Sequence, residues 1–364
     1  MGRMARPPSA VRPRRSRLTI AVTGAAGPLG GRLLTRLAAE KPRPQLVGLD
    51  TDVARVAGVD WRRCDVRDPT LRRCLEGVDV VVQLAIDRRA DAALDERRTV
   101  NVKGTDNLLR AARAAGCRRV VLLTSAMVYG ALPDNAVPLV EDSPLRAEAD
   151  ESLVGDWLEM ERLAQLADDD AGGFEVVVVR PASLVGEVSD SMLPRLLEAP
   201  RLLAIRDAPA HWQLCHVDDA VEALAWAALG KVDGPLTVGC HGWLTQAEVE
   251  RLSGLRSLVV PKAVAISTAE RLHRVGVLPA PASELHYLAH PWVVGSERLV
   301  AAGWEPRWDN ASALRDHLDR LGDRVGRSGT IGRKGATRAA AGATVAVVGT
   351  VAIARARARR RRRG

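Results

Sequence analysis

The residues of this chain best suited to chemistry stand at the ends of apolar runs. Thr23-Gly24-Ala25-Ala26-Gly27-Pro28-Leu29-Gly30 follows the run Leu18-Thr19-Ile20-Ala21-Val22 and precedes an amphipathic helical pattern over Gly31 to Glu40. In a strand–turn–helix setting, glycines at this spacing bring backbone amides close to an anion. Gly24 permits the tight turn, Gly27 the approach to a pyrophosphate and Gly30 the packing of helix on strand. The helix start contributes free N–H groups. Further on, Gln45-Leu46-Val47-Gly48-Leu49 ends on Asp50, a carboxylate placed to accept bonds from an adenosine ribose. The unit as a whole predicts dinucleotide binding.

The elements that must position these residues alternate strand and helix from Leu18 onward. That predicts an α/β fold, a Rossmann-type doubly wound parallel sheet with helices on both faces. Asp60 to Asp68 reads as a short strand ending in an acidic turn, with a helix through Leu71 to Leu75. Val78 to Ala85 reads as a buried strand, 91–115 as one long helix, and Val120 to Thr124 as a strand running into Ser125-Ala126-Met127-Val128-Tyr129-Gly130. A helix over 151–168 and a buried strand from Phe174 to Val179 complete the regular part. Beyond Arg180-Pro181 the alternation loosens. Helical patterns at Val217–Leu229 and Thr245–Leu252, with short strands around Leu202–Ile205 and Leu236–Val238, predict a smaller C-terminal substrate lobe. The expected organisation is a disordered basic leader (1–17), a Rossmann domain (18–180), a substrate lobe interleaved with it (181–321), a Gly/Arg-rich linker (322–338) and a tail (339–364). No internal repeat is present.

The formal charge of +9 misleads as a whole-chain figure. Six arginines in 1–17 and ten basic residues in 331–364, with no acid in either, leave −7 on residues 18–330. Such a body offers no nucleic-acid face, and contact through the arginines would be non-specific. Cys64, Cys74, Cys117, Cys215 and Cys240 are odd in number and contain no C-x-x-C pair. With no apolar signal segment, that predicts a cytoplasmic protein with neither disulfides nor a metal site.

Taken in register, these segments resemble the extended short-chain dehydrogenase/reductase superfamily, the NAD-dependent epimerase/dehydratase type. Within it the chain is similar to actinobacterial proteins of the UDP-glucose 4-epimerase kind. The resemblance covers roughly residues 18–320. It rests on the glycine turn, Asp50, Asp65-Val66-Arg67-Asp68, Asn101-Val102-x-Gly104-Thr105 and Ser125-x-x-Val128-Tyr129-Gly130. Arg180-Pro181, His216-Val217-Asp218-Asp219 and Gly303-Trp304-x-Pro306 add to it. It implies that Gly24, Gly27 and Gly30 cradle the pyrophosphate of NAD and that Asp50 takes the ribose. Asp65 with Val66 would face the adenine, Leu84 and Ala85 line the groove, and Asn101 belongs to the cofactor-binding set. A solvated turn is the competing reading for Asp65 and Asp68. Asp50 with Asp52 nearby would repel a 2′-phosphate, which favours NAD over NADP. The implied partner is a small-molecule substrate such as a nucleotide sugar; helices near 91–115 and 151–168 pair subunits in similar proteins, so a homodimer is implied too.

Hydride chemistry at a carbinol needs a base for the hydroxyl proton. The resemblance implies a Tyr whose phenol, ordinarily near pKa about 10, is lowered by a Lys one helical turn on. Ser125 matches the family's strand-end hydroxyl. Leu153 stands at the Tyr position and Trp157 at the Lys position. Tyr129 and Tyr287 are the only tyrosines, and four residues after each comes a proline, Pro133 and Pro291, so Tyr-x-x-x-Lys is absent. Asp156, Glu159 and Tyr129 are the substitute bases the sequence offers. Trp212 replaces the Arg that often holds a diphosphate four residues before His216. His216 reads as a structural histidine bonded to backbone, and Asp218 and Asp219 as helix-start acids. Two readings stay open: an oxidoreductase with a non-standard base, or an NAD-occupied scaffold or redox sensor without turnover.

Residues 339–354 are uncharged, but the run is short and rich in Ala, Gly and Thr for a membrane span, and Arg355 to Arg363 follow it. The tail fits an anionic membrane surface, peripheral to the inner face, or a free basic tail.

Overall fold

In this computed structural model the described residues are 17–54, 56–89, 92–169, 174–188, 194, 196–199, 201–208, 210–275 and 282–327. The leader (apart from Arg17) and residues 328–364, including the Arg-rich tail, lie outside them.

The order of elements is β1 (Thr19–Thr23), α1 (Pro28–Ala38), β2 (Gln45–Asp50), β3 (Val59–Arg63), α2 (Leu71–Cys74), β4 (Val80–Gln83), α3 (Leu94–Arg98), α4 (Gly104–Ala115), β5 (Arg119–Leu123), α5 (Leu153–Asp169), β6 (Glu175–Pro181) and β7 (Ser183–Val185). The second half adds β8 (Leu202–Ile205), β9 (Leu214–His216), α6 (Val217–Ala228), β10 (Leu236–Val238), α7 (Gln246–Ser253), β11 (Ser257–Val260), α8 (Lys262–Arg274), α9 (Glu297–Ala301) and α10 (Asn310–Arg327). Seven strands form one parallel sheet in the order β10-β6-β5-β4-β1-β2-β3. The chain reverses direction across the sheet between β1 and β4, and a ligand crevice belongs at that point, beyond the strands' carboxyl ends.

Alternation on the central strands builds the two faces of the core. Ile20 and Val22 of β1 pack with Leu33, Leu34 and Leu37 of α1, whereas Ala21 packs on the opposite face with Val47, Val81, Val120 and Leu108. β10 adds to the main sheet beside β6, while β8–β11 and β7–β9 make two small parallel pairs.

Two boundaries differ from the sequence reading. The single helix expected over 91–115 is α3 and α4 joined by a π-helical turn at Thr99–Lys103, which widens the backbone where Asn101 turns inward. The last helix runs on through Arg327, into the stretch read from composition as linker.

Candidate functional site

A cleft of about 550 Å³ opens over the carboxyl ends of β1, β2 and β4. Thr23, the last residue of β1, knits two of these ends together. Its hydroxyl donates to Gln83 Oε1 at 2.7 Å and accepts from the N–H groups of Leu84 (3.1 Å) and Ala85 (3.2 Å). The chain after β4 is thereby pressed against the glycine turn. Gly24 adopts φ +63°, and a Cβ there would lie 2.8 Å from backbone atoms of Leu84 and Ala85. A Cβ at Gly30 would collide with the Gly24 carbonyl, which is the close helix–strand approach the spacing predicts. Gly27 caps α1 and donates its N–H to the Gly24 carbonyl at 3.1 Å. Pro28 takes the first helical position and carries no N–H, so this helix start presents one amide fewer to an anion.

Asp50 lines the cleft and one of its oxygens accepts from Ala26 N at 2.9 Å, so the carboxylate expected to take the ribose also holds the glycine turn in place. Its other oxygen accepts from Asp52 N at 3.2 Å. Asp65 and Val66 line the far wall with Cys64 and Leu71. Asp65 is gripped by Arg67, whose Nε and Nη2 donate at 2.9 Å and 2.6 Å, and the guanidinium holds this carboxyl below the usual carboxylate range. Asp65 thus lines the cleft while its carboxylate is bonded to Arg67 two residues on. Asp87, Arg88 and Arg89, just beyond Ala85, also line the cleft; their signal was a charged run immediately after a predicted buried strand.

Asn101 stands apart from the other expected cofactor residues. It is fully buried and its amide is committed: Oδ1 accepts from Asp87 N at 2.8 Å, and Nδ2 donates to Asp87 O at 3.0 Å and to Asp156 Oδ2 at 3.1 Å. It shapes the cleft by fixing the Asp87 loop from behind.

Among the expected base and relay positions, Ser125 is buried at the end of β5, and its Oγ accepts from Met127 N at 3.3 Å. Leu153 begins α5, half-buried, and Trp157 is enclosed one turn later with its indole N–H lacking a hydrogen-bond partner. No cation replaces the missing Lys at that position. Tyr129 is locked: its hydroxyl donates to the Glu141 carbonyl at 3.1 Å and accepts from Arg180 at 2.7 Å, and burial pushes the phenol up to about 12. Asp156 is entirely enclosed and bound by Arg97 Nε at 2.7 Å. Glu159 is held below the usual carboxylate range by Arg162. Asp156 keeps its Oδ1 without a hydrogen bond, 3.6 Å from Arg98 Nη1, whereas the Tyr129 hydroxyl and the Glu159 carboxylate are each bonded to an arginine.

Arg180 meets Glu161 in a bidentate pair at 3.0 Å and 2.6 Å, and Glu161 also accepts from Thr124 at 2.7 Å. This buried network anchors the turn that carries Ser125. His216 Nδ1 accepts from Asp218 N at 3.2 Å, Nε2 lies 3.2 Å from Asp316, and the ring stacks on Trp308 at 3.8 Å. Asp218 pairs with Arg32 at 2.8 Å, Asp219 accepts from Arg307 N and Trp308 N, and burial raises the Asp219 carboxyl. Trp212 is buried and donates its indole N–H to Gln246 at 2.9 Å. All five cysteines are free, and no metal-ligand cluster occurs among the described residues.

The parallel sheet, the glycine turn at its switch point and the acid ending β2 define a Rossmann-fold dinucleotide-binding protein. The chain belongs to the NAD-dependent epimerase/dehydratase family, whose model matches residues 20–237. It is 29% identical over 316 residues to an uncharacterised protein of Mycobacterium tuberculosis, covering 82% of this chain and 83% of the relative. It is 29% identical over 254 residues to a dTDP-glucose 4,6-dehydratase of Streptomyces griseus, covering 63% and 75%. Its fold matches the dTDP-glucose 4,6-dehydratase DesIV of Streptomyces venezuelae, solved with NAD and TYD, at TM-score 0.64 and 20% identity over 85% of this chain and 98% of that one. NAD is the cofactor of the family, and the cleft's residues fit it: neither Gly24 nor Gly30 has room for a Cβ, and the Asp50 carboxylate lies in the same wall.

Proposed function

We propose that this protein is an NAD-dependent oxidoreductase acting on a carbinol of a nucleotide sugar or a related sugar, with a base other than tyrosine. The observation that carries this reading is the cleft at the switch point, lined by Gly24, Gly30 and Asp50, with no room for a Cβ at either glycine. NAD, when bound, supplies the hydride acceptor. The chain binds the pyrophosphate at the glycine turn, accepts the ribose hydroxyls at Asp50 and lines the adenine with Val66. Leu153 and Trp157 leave the carbinol proton to be taken by another group.

A second reading rests on one observation. Trp157 encloses the position where a cation would lower the pKa of a base, so the protein would hold NAD without turnover, as a scaffold or redox sensor. A panel of UDP- and dTDP-sugars followed both by NADH absorbance and by chromatography of the sugar nucleotide, beside a thermal-shift titration with NAD, separates the two. NAD stabilisation with NADH formation or with an altered sugar supports the oxidoreductase; stabilisation with every sugar unchanged and no NADH supports the scaffold.

No helix among the described residues is long and apolar enough to cross a membrane. The Arg-rich tail is proposed to bring the protein to an anionic membrane surface at the cytoplasmic face through its run of positive charge. A homodimer through the faces of α4 and α5 completes the proposal.

A further inference from the structure

The glycine turn gives an anion fewer donors than its length suggests. Ala25 N donates to the Leu49 carbonyl at 3.3 Å, Ala26 N to Asp50 Oδ2 at 2.9 Å and Gly27 N to the Gly24 carbonyl at 3.1 Å. Gly31 N closes the first helical bond, to the Gly27 carbonyl at 2.9 Å. Pro28, between them, has no N–H to offer. That leaves Leu29 and Gly30, both in the cleft wall, whose amides donate to no other group among the described residues. Amides at a helix start are the groups that receive a phosphate, so the pyrophosphate of NAD meets two of them here and lacks the one at Pro28.

Side chains add little to that grip. Arg67 and Arg89 line the cleft, but Arg67 is matched by Asp65 at 2.6 Å and Arg89 by Asp87 at 2.7 Å. Arg88, also in the wall, buries Nε and Nη2 where water does not reach them. The nearest cation of α1, Arg32, is turned to Glu187 and Asp218, each at 2.8 Å. Asp50 and Asp52 bring two further carboxylates to the same wall, and like charge disfavours a diphosphate there.

The other end of the cleft is built more firmly. The Asp50 carboxylate is fixed through both oxygens, by Ala26 N at 2.9 Å and Asp52 N at 3.2 Å, and each oxygen keeps a lone pair for a ribose hydroxyl. Val66 is held in the opposite wall by α4. Asn107 Nδ2 donates to the carbonyls of Val66 (2.8 Å) and Asp68 (2.9 Å), and a Cβ at Gly104 would lie 2.9 Å from Val66 Cγ2. An apolar wall facing a fixed carboxylate suits a nucleoside, whose binding needs no cation.

We propose that Pro28 weakens the hold on the diphosphate, so that NAD is anchored by its adenosine end and is an exchangeable ligand of this cleft, not a resident one. The proposal concerns the cofactor site alone and stands under either reading of the function. Release of a reduced dinucleotide and sampling of its redox state both require such exchange. A hydrogen bond to a charged group is worth about tenfold or more in affinity, which sets the scale of the effect of one missing amide.

The test is calorimetry on the full chain with three probes, adenosine, ADP and NAD, beside acid extraction of any dinucleotide that the purified protein carries. The parent should bind ADP less than about tenfold more tightly than adenosine and should purify largely free of dinucleotide. Pro28→Ala, which restores the amide, should tighten ADP and NAD at least about tenfold, or 1.4 kcal/mol, and leave adenosine unchanged. Adenosine binding is the check that the variant's cleft is folded, and the parent's adenosine-to-ADP ratio needs no variant. A wider gap between adenosine and ADP in the parent, or a full complement of dinucleotide in the purified protein, overturns the proposal. So does Pro28→Ala binding adenosine as the parent does with ADP and NAD unmoved. NAD bound by a parent that does not bind adenosine overturns the adenosine anchor while leaving the cofactor site in place.

Discussion

Arg97 and Asp156 meet inside the protein at 2.7 Å, joining α3 to the first turns of α5 one residue before Trp157. Arg97 also donates to the Glu151 carbonyl at 2.6 Å, and Asn101 adds a bond to the same carboxylate. The pair therefore fixes where the entry to α5 lies against the cofactor-side loop. Removing Arg97 leaves the buried carboxylate with only Asn101 and the more distant Arg98, 3.6 Å from its other oxygen. Arg97→Met should cost about 3–5 kcal/mol in urea denaturation, and Arg97→Met with Asp156→Leu should recover most of it. A loss under about 1 kcal/mol in the single variant would mean that Arg98 and Asn101 suffice to hold the Asp156 carboxylate.

The glycine turn and Asp50 share a hydrogen bond, so ribose binding and turn geometry are coupled. Asp50→Ala should weaken NAD binding at least about tenfold, or 1.4 kcal/mol, by calorimetry. Gly30→Ala should do more, because the added Cβ meets the Gly24 carbonyl and displaces α1. NAD affinity unchanged in both variants would remove the cleft from consideration as the cofactor site.

The Trp157 indole N–H has no partner to lose. Trp157→Phe should therefore change stability through packing alone, by under about 1.5 kcal/mol. A loss above about 3 kcal/mol in the denaturation midpoint analysis would show that the N–H is satisfied in solution.

α1 is held to α6 by Arg36 and Glu222, bidentate, with Nη2 at 2.7 Å. The hydrogen bond from Arg36 is the main cause that depresses the Glu222 carboxyl in the folded chain. A depressed carboxyl contributes stability above its unfolded pKa, near about 4.3, and loses it as pH falls through the lower folded value. Glu222→Gln should thus be less stable than the parent at pH 7, with the difference shrinking below pH 4; a constant difference across that window contradicts the assignment.

Deleting residues 331–364, which carry ten basic residues, should abolish co-sedimentation with anionic vesicles and spare NAD binding. Equal vesicle binding by the truncated chain would exclude the tail as the anchor.

What the sequence by itself determined is local and periodic. The glycine turn, Asp50, and the strand-end positions of Ser125 and Leu84 were legible because each depends on neighbours a few residues away. The strand–helix alternation was legible because burial on two faces of a parallel sheet imposes it. The lack of Tyr-x-x-x-Lys was equally plain, being a matter of residue identity at a fixed spacing. Other features were decided only when distant segments met. The sequence offered Asp156, Tyr129 and Glu159 as bases; only the fold shows Arg97 on one oxygen of Asp156 and Arg180 on the Tyr129 hydroxyl, while Glu159 meets Arg162 along its own helix. Asn101 was legible as a motif residue, yet its partners, Asp87 and Asp156, could be known only once α5 lay beside the π-helical turn. The turn Ala282–Leu288 meets the Ser125 turn only in the fold, where Tyr287, 160 positions from Met127, bonds to the carbonyl of that residue. A spacing rule describes a turn or a helix face; a cavity between segments is set by packing, whose contacts no linear pattern encodes.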